Sequence, residues 1–158
     1  MLSFQRLNVY QRAIEFLALS RDIVEALPRG HRPRADQLTR AAESVVRNIA
    51  EAAGRWSDAD SSKHYKIARG EAMECAASLD VLKLRNLIVQ PQYNRSIQLL
   101  ERIVAMLTKM LRGVNARIDQ VHVHVHVKVH VNVNDTRNEP RIGAKTFSAP
   151  FPGKRDRA

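Results

Sequence analysis

Residues 91–114 read PQYNRSIQLLERIVAMLTKMLRGV, the longest regular apolar pattern in the chain. Apolar side chains recur there at spacings of three and four residues, which is the period of one face of an α-helix. A second apolar row lies beside the first, and a stripe of that width requires more than one neighbouring helix. Pro91 suits the first turn of such a helix, where no backbone N–H is needed. The stretch therefore predicts one helix of a bundle, with these residues facing the core: Tyr93, Ile97, Leu100, Ile103, Val104, Met106, Leu107, Met110, Leu111 and Val114.

A similar pattern precedes this helix and predicts another one from Asp58 to Ile88. Ser57 and Asp58 are a start signal, because a short polar side chain can accept hydrogen bonds from the first free backbone amides. Gly70 lies inside the helix and costs about 1 kcal/mol relative to alanine. We expect it either to admit a neighbouring backbone or to mark a bend.

Two earlier helices complete the set. The first is predicted from about Leu7 to Leu27 and is ended by Pro28, which disfavours helical geometry in the residue before it. The second begins near Arg34–Asp36 and reaches Ala53, with Gly54 as a left-handed cap. Their predicted inner faces are Tyr10, Ala13, Ile14, Leu17, Val24 and Leu27 in the first helix, and Leu38, Ala42, Val45, Ile49 and Ala53 in the second.

Four amphipathic helices with short connections predict an all-α, up-down-up-down four-helix bundle over residues 1–118. Residues 119–158 are predicted to be a low-complexity, basic and largely disordered tail, in which 121–134 read VHVHVHVKVHVNVN. If that segment were extended, its histidines would share one face and incidental nickel or zinc binding would be conceivable. An unstructured appendage is the favoured interpretation, and neither a metal site nor a cofactor is predicted.

The chain is basic, with 26 Lys and Arg against 16 Asp and Glu and a net charge of +10. Residues 1–118 alone carry +7, so the excess belongs to the bundle as well as to the tail. A basic fold attracts polyanions, nucleic acid before anionic membrane, although the charge can also serve solubility alone. No apolar run approaches the ~20 residues of a membrane span, and the N-terminus lacks a signal-peptide core. We predict a cytoplasmic protein that contacts no membrane.

The sequence contains no nucleophile elbow, P-loop, paired-histidine motif or glycine-rich phosphate loop, so we predict that the protein is not an enzyme. His31 and His64 are expected to be solvated. Cys75, the only cysteine, cannot form an intrachain disulfide and is expected to be a small buried apolar residue.

A polar row accompanies the apolar face of the second helix. Helical geometry brings Ser44, Asn48 and Glu51 together along one flank, at the boundary of the core. Such groups need hydrogen-bond partners, and Tyr65 and Arg69 on the next helix are the candidates. We interpret the five residues as a structural network that joins the two helices; a binding site is the alternative.

The same region carries a family resemblance. The motif is the run from Arg40-Ala41-Ala42 through Asn48-Ile49-Ala50-Glu51, then Gly54-Arg55, Tyr65 and Ile67-Ala68-Arg69-Gly70, together with the opening Leu7-Asn8-Val9-Tyr10-Gln11-Arg12-Ala13. It resembles the four-helix bundle family of proteins encoded by 23S rRNA intervening sequences, which includes the accessory variability determinant of diversity-generating retroelements. The resemblance covers about residues 4–114. Ala52 stands where the family commonly has glycine, and Glu71 where it commonly has serine.

The resemblance implies a homopentamer of bundles around a central channel, association with RNA or DNA and, for the retroelement branch, binding to a reverse transcriptase. Our first functional hypothesis is a non-enzymatic oligomer that contacts phosphates without reading bases. The second is a protein–protein adaptor for a reverse transcriptase or another nucleic-acid enzyme. The candidate phosphate contacts are Arg40, Arg47, Arg55, Lys63 and Lys66.

Overall fold

The computed structural model describes the backbone of residues 1–135 and the side chains of residues 1–121. Over that range the chain forms one short 3-10 helix, Ser3–Arg6, and four α-helices. The helices are α1 (Asn8–Glu25), α2 (Arg32–Gly54), α3 (Asp58–Leu84) and α4 (Gln90–Asp135). A compact unit that spans Met1–His122 holds the core. The all-α prediction is confirmed.

Contacts between neighbouring helices establish the topology. From α2 to α3, Gln37 bonds to Glu74 and Asn48 bonds to His64, so the residue numbers rise along one helix and fall along the other. From α3 to α4 the same reversal holds, with Asp80 bonded to Tyr93, Arg69 to Thr108 and Asp58 to Arg117. Arg95 of α4 bonds to Glu15 of α1 and closes the bundle. The up-down-up-down arrangement is confirmed.

The core lies along the bundle axis and receives residues from every helix. Ile49, Leu79 and Leu107 have no exposed surface, as the periodicity of their helices predicts. Three buried serines are satisfied locally or across the bundle: Ser20 donates to Leu17 O, Ser96 to Gln92 O, and Ser62 to Asn115 Oδ1. Among the described side chains, every buried polar atom has a hydrogen-bond partner.

The inner face of α1 differs from the predicted one. Ile14 is 39% exposed, whereas Phe16 is completely buried. The buried positions are Val9, Ala13, Phe16, Ser20 and Ile23. Two apolar stripes run along this helix, the predicted one that includes Ile14 and the buried one that includes Phe16. A helical period in the sequence does not by itself show which of the two packs against the other helices. The larger Phe16 side chain occupies the centre of the interface, because it removes more apolar surface from water there.

Helix ends and glycines also correct the sequence predictions. Helix α3 ends at Leu84 rather than Ile88, because Asn86 takes a left-handed conformation with φ 56°. Leu87 N–H donates to Leu82 O and Asn86 N–H to Lys83 O, the hydrogen bonds of a Schellman cap. Gly54 is instead the last residue of α2, and Arg55 caps that helix in an extended conformation. Gly70 admits no close neighbour, since a Cβ there would meet nothing within 4 Å.

The backbone of residues 121–134 continues α4 as a helix and is not extended. Extending an existing helix needs no new nucleus, whereas an extended segment needs a partner strand for its backbone groups. The side chains of the alternating histidines, and hence the conceivable nickel or zinc contact, lie outside the described residues. The prediction of a disordered tail for residues 136–158 lies outside them as well.

Candidate nucleic-acid interface

A polar network joins the C-terminal half of α2 to the start of α3. Asn48 Nδ2 donates to Ser44 O at 2.9 Å and to Ser44 Oγ at 3.2 Å. This orients Asn48 Oδ1 toward His64 Nδ1, 3.1 Å away. The other ring nitrogen, His64 Nε2, lies 3.5 Å from Glu51 Oε1, and Arg55 pairs with the same carboxylate. The network therefore connects three residues of the predicted set, Ser44, Asn48 and Glu51.

The α3 residue that bonds to this polar row of α2 is His64. The sequence pattern predicts Tyr65 and Arg69 in that role. The His64 side chain is only 14% exposed, so the expectation of a solvated histidine is wrong. Arg69 faces α4 instead, and its Nε donates to Thr108 Oγ1 at 3.0 Å. Tyr65 is buried and belongs to the hydrophobic core of the bundle. Because adjacent residues on a helix point about 100° apart, a change of one position selects a different neighbouring helix.

An open cleft of about 450 Å³ lies where the C-terminal end of α2, the first turns of α3 and residues 109–117 of α4 meet. Cationic groups line it from two helices: Lys109 and Arg117 come from α4, and Arg55 follows the end of α2. The remaining lining residues are small, apolar or hydroxyl-bearing: Ala52, Ala53, Ser61, Tyr65, Met110, Gly113 and Val114.

The residues of α4 that line the cleft leave its volume unfilled. Lys109, Gly113 and Arg117 follow one another at four-residue intervals and so lie on one side of the helix. Gly113 has no side chain to occupy the space between the two cations, and a Cβ built there would come no closer than 3.9 Å to Arg117 Nη1. Sequence reasoning missed Lys109 and Arg117. The sequence signal for them was the spacing of four residues on either side of Gly113, which places both cations on one side of α4. That spacing does not show which other helices pack beside them to form a cleft.

Two of the three cations are held by carboxylates. Arg55 pairs with Glu51, and Arg117 donates two hydrogen bonds of 2.8 Å to the carboxylate oxygens of Asp58. Among the described side chains no carboxylate forms an ion pair with Lys109. Counting these five groups, the cleft carries one net positive charge. Lys109 is therefore the cleft cation whose charge is not balanced by an ion pair with any described carboxylate.

Electrostatics around the cleft shift two acid–base groups. The hydrogen bonds from Arg117 hold the pKa of Asp58 below its ordinary value of 3.8. Burial raises the pKa of Tyr65, an effect that the nearby charge of Arg117 partly opposes. Both groups thus remain in their usual protonation state at neutral pH, with Asp58 ionised and Tyr65 protonated.

The Asp58–Arg117 pair gives the fold a definite pH dependence. Because folding lowers the pKa of Asp58, its stabilising contribution is complete above the unfolded value and is lost as the pH falls through the folded one. In urea unfolding, we expect the stability difference between wild type and Asp58→Asn to have its full size above about pH 5 and to shrink steadily as the pH falls below about 4, the ordinary pKa of an aspartate. Glu15, whose pKa is lowered by Arg12 and Arg95, supports the same acid-side trend in both proteins. A difference that grows on acidification would contradict this assignment.

Of the five cations proposed from the sequence, Arg55 alone lines the cleft. All five are exposed, as phosphate contacts must be. Arg40 Nε donates to Asp36 O at 3.3 Å, and Arg47 Nη1 pairs with Glu43 at 3.2 Å. Lys63 and Lys66 point into solvent from α3. The prediction that these residues bind phosphate stays a prediction.

A second concave surface lies between α3 and α4. This apolar groove, with a volume of about 300 Å³, is closed at one end by Tyr93, whose hydroxyl donates to Asp80 Oδ1 at 2.6 Å. Met73 is 53% exposed beside it. The groove is lined by Ala72, Met73, Ala76, Asp80, Tyr93, Ile97, Leu100, Glu101 and Val104.

The prediction for Cys75 is confirmed, since the residue is completely buried and burial raises the pKa of its thiol to about 12. Within residues 1–121, no three potential metal-ligating side chains cluster. Of the described helices, none is both long and apolar enough to span a membrane.

Comparison with known proteins agrees with the all-helical fold. None of the curated proteins compared matches the chain. Among solved structures, a protein of unknown function from the S23 ribosomal protein family of Bacteroides thetaiotaomicron is similar, with 25% sequence identity and a TM-score of 0.61. The match covers 65% of this chain and 97% of that one. The family described as 23S rRNA-intervening sequence protein matches residues 5–109, which is more than half of the chain. The protein therefore belongs to the 23S rRNA-intervening sequence protein family.

Proposed function

We propose that this protein is a non-enzymatic, oligomeric bundle that binds the phosphate backbone of nucleic acid. The observation that carries the proposal is the cleft at the end of the bundle, where Arg55, Lys109 and Arg117 surround an open volume of about 450 Å³. Guanidinium and ammonium groups are the usual protein partners of phosphate oxygens. Their convergence from two separate helices supports a phosphate site better than the charge of the chain alone does.

The chemistry of the cleft favours positioning a backbone over reading bases. Its polar groups are three cations, one serine hydroxyl and the Tyr65 hydroxyl, and its walls are otherwise small or apolar. Base discrimination in duplexes requires bidentate donors and acceptors that enter a groove, and a concave cleft presents none of its groups in that way. Arg40, Arg47, Lys63 and Lys66, exposed on α2 and α3, would extend the contact along the strand.

Assembly would multiply this contact. A homopentamer, as the family resemblance implies, would present five equivalent clefts to one polyanion, and linked sites raise overall affinity without any new contact. Light scattering on the full chain measures the number of subunits. A monomeric mass would remove the pentamer from the proposal but leave the cleft intact.

Salt dependence tests the proposed function directly. Each cation that neutralises a phosphate releases condensed counterions, so the three cleft cations of one subunit predict a slope of about −2 in a plot of log affinity against log salt for a single strand. Contacts from the exposed cations of α2 and α3, or from further subunits, would make the slope steeper. We therefore expect RNA affinity to fall by at least about twenty-fold between about 50 and 200 mM salt in filter binding. The absence of binding at low salt, or binding that salt does not change, would refute the proposal.

A second candidate function, that of an adaptor for a reverse transcriptase or another nucleic-acid enzyme, is favoured by the apolar groove between α3 and α4. Its exposed Met73 and its rim of Asp80 and Glu101 suit a partner helix with apolar and basic side chains. In a pull-down with a polymerase encoded beside the gene, Met73→Asp would abolish capture if the groove is the docking surface. Capture that depends on Lys109 and not on Met73 would favour the first function.

A further inference from the structure

Trp56 is the only tryptophan of the chain, and its side chain is fully exposed at 105% of the reference accessible area. An indole buries 150–250 Å² when it is covered, so its complete exposure leaves a large apolar surface in water. It makes no contribution to the core, which is built from Leu, Ile, Val, Ala and a few aromatic residues elsewhere.

The loop that carries Trp56 is fixed at both ends. Arg55 directly before it lines the cationic cleft and pairs with Glu51. Asp58, two residues after it, accepts both hydrogen bonds from Arg117. Ser57 caps α3 by accepting from Asp60 N–H, and Ser61 Oγ donates to Ala52 O at 2.9 Å. Hydrogen bonds and ion pairs thus hold the backbone on both sides of Trp56, and two of them involve the cleft residues Arg55 and Arg117. The exposed indole lies next to the cleft in the sequence and in the fold.

We propose that Trp56 stacks on an unpaired base of a nucleic-acid strand whose phosphates occupy the neighbouring cleft. The inference rests on the proposed function and restricts its ligand to single-stranded RNA or DNA. An indole offers an apolar π-face to any base, and such stacking tolerates all sequences. Bases inside a duplex already stack on each other, so their faces are closed to the indole. A single nucleotide would then make both contacts, with its phosphate in the cleft and its base stacked on Trp56.

The fluorescence of Trp56 reports this contact directly, because no other indole contributes to the signal of the full chain. The probes are a short single-stranded RNA of mixed sequence, the DNA of the same sequence, the RNA annealed to its complement, and inorganic polyphosphate. We expect the single strands to quench the emission strongly and the duplex to quench it weakly. Polyphosphate should compete with RNA for the cleft without quenching, since it has no base. A difference between RNA and DNA would measure the contribution of the 2′-hydroxyl.

Two variants separate stacking from charge. Trp56→Ala should weaken single-stranded RNA binding by about 5-fold to about 150-fold, the range for loss of one stacked base, and leave polyphosphate affinity unchanged. Trp56→Phe retains an aromatic face and should recover most of the affinity. The position is fully exposed, so both variants keep the core intact.

The outcomes distinguish this inference from the proposed function. If the wild type binds RNA with the expected salt dependence but Trp56→Ala binds equally well, the stacking inference is overturned and the phosphate site stands. If no nucleic acid binds at all, the proposed function fails. If Trp56 in the free protein is already shielded from acrylamide and Trp56→Ala lowers the mass in light scattering, a second copy covers the indole and the inference is likewise overturned.

Discussion

Phe16→Ala is expected to lower the free energy of unfolding by about 3–5 kcal/mol. Phe16 has no exposed surface and packs at the centre of the α1 interface, so the truncation removes a large apolar contact and leaves a cavity. The cavity term is expected to persist because the packed core around a fully buried side chain relaxes only partly. Urea unfolding followed by circular dichroism at a fixed protein concentration measures the effect.

Ile14→Ala is the matched control, two residues away on the same helix. Ile14 is 39% exposed, and we expect its truncation to cost less than about 1 kcal/mol. The apolar stripe predicted from the sequence included Ile14 and omitted Phe16, so the pair of variants compares the two rotations of α1. A larger loss in Ile14→Ala than in Phe16→Ala would mean that α1 packs through the other stripe.

Lys109→Glu should reduce RNA affinity about tenfold or more at low salt and should make the slope of log affinity against log salt shallower by about one unit. Lys109 is the cleft cation without a described carboxylate partner, so its charge is the one most available to phosphate. Reversing it also adds a carboxylate to the lining of the cleft, which repels an entering polyanion. Filter binding at several salt concentrations gives the affinity and the slope together.

The control for charge is Arg29→Glu, in the loop between α1 and α2, which changes the net charge by the same amount far from the cleft. We expect less than about twofold change in affinity for it. A second cleft variant, Gly113→Leu, leaves every charge in place and fills the cleft with a side chain. The nearest atom to its Cβ would be Arg117 Nη1 at 3.9 Å, so the residue fits and improves helix propensity. Equal effects of Lys109→Glu and Arg29→Glu, with no effect of Gly113→Leu, would show that only net charge matters.

Asp58→Asn connects the stability of the bundle to the site. The substitution removes the negative charge beside Arg117 and one of its two acceptor oxygens, which lowers stability near neutral pH. It should also make the same guanidinium group more available to phosphate. Under the proposed function Arg117 would have two competing partners, Asp58 in the free protein and a phosphate in the complex.

The apolar period by itself determined that four helices form and that Ile49, Leu79 and Leu107 are buried, because helical periodicity is a local property that survives any arrangement of the partners. Only the tertiary structure determines which apolar stripe of α1 faces the core. The structure likewise determines that His64, and not Tyr65 or Arg69, is the hydrogen-bond partner of Asn48. It also brought Arg55, Lys109 and Arg117 to one cleft. Those outcomes depend on how helices rotate and align against each other, and residues distant in the sequence become neighbours only through that packing.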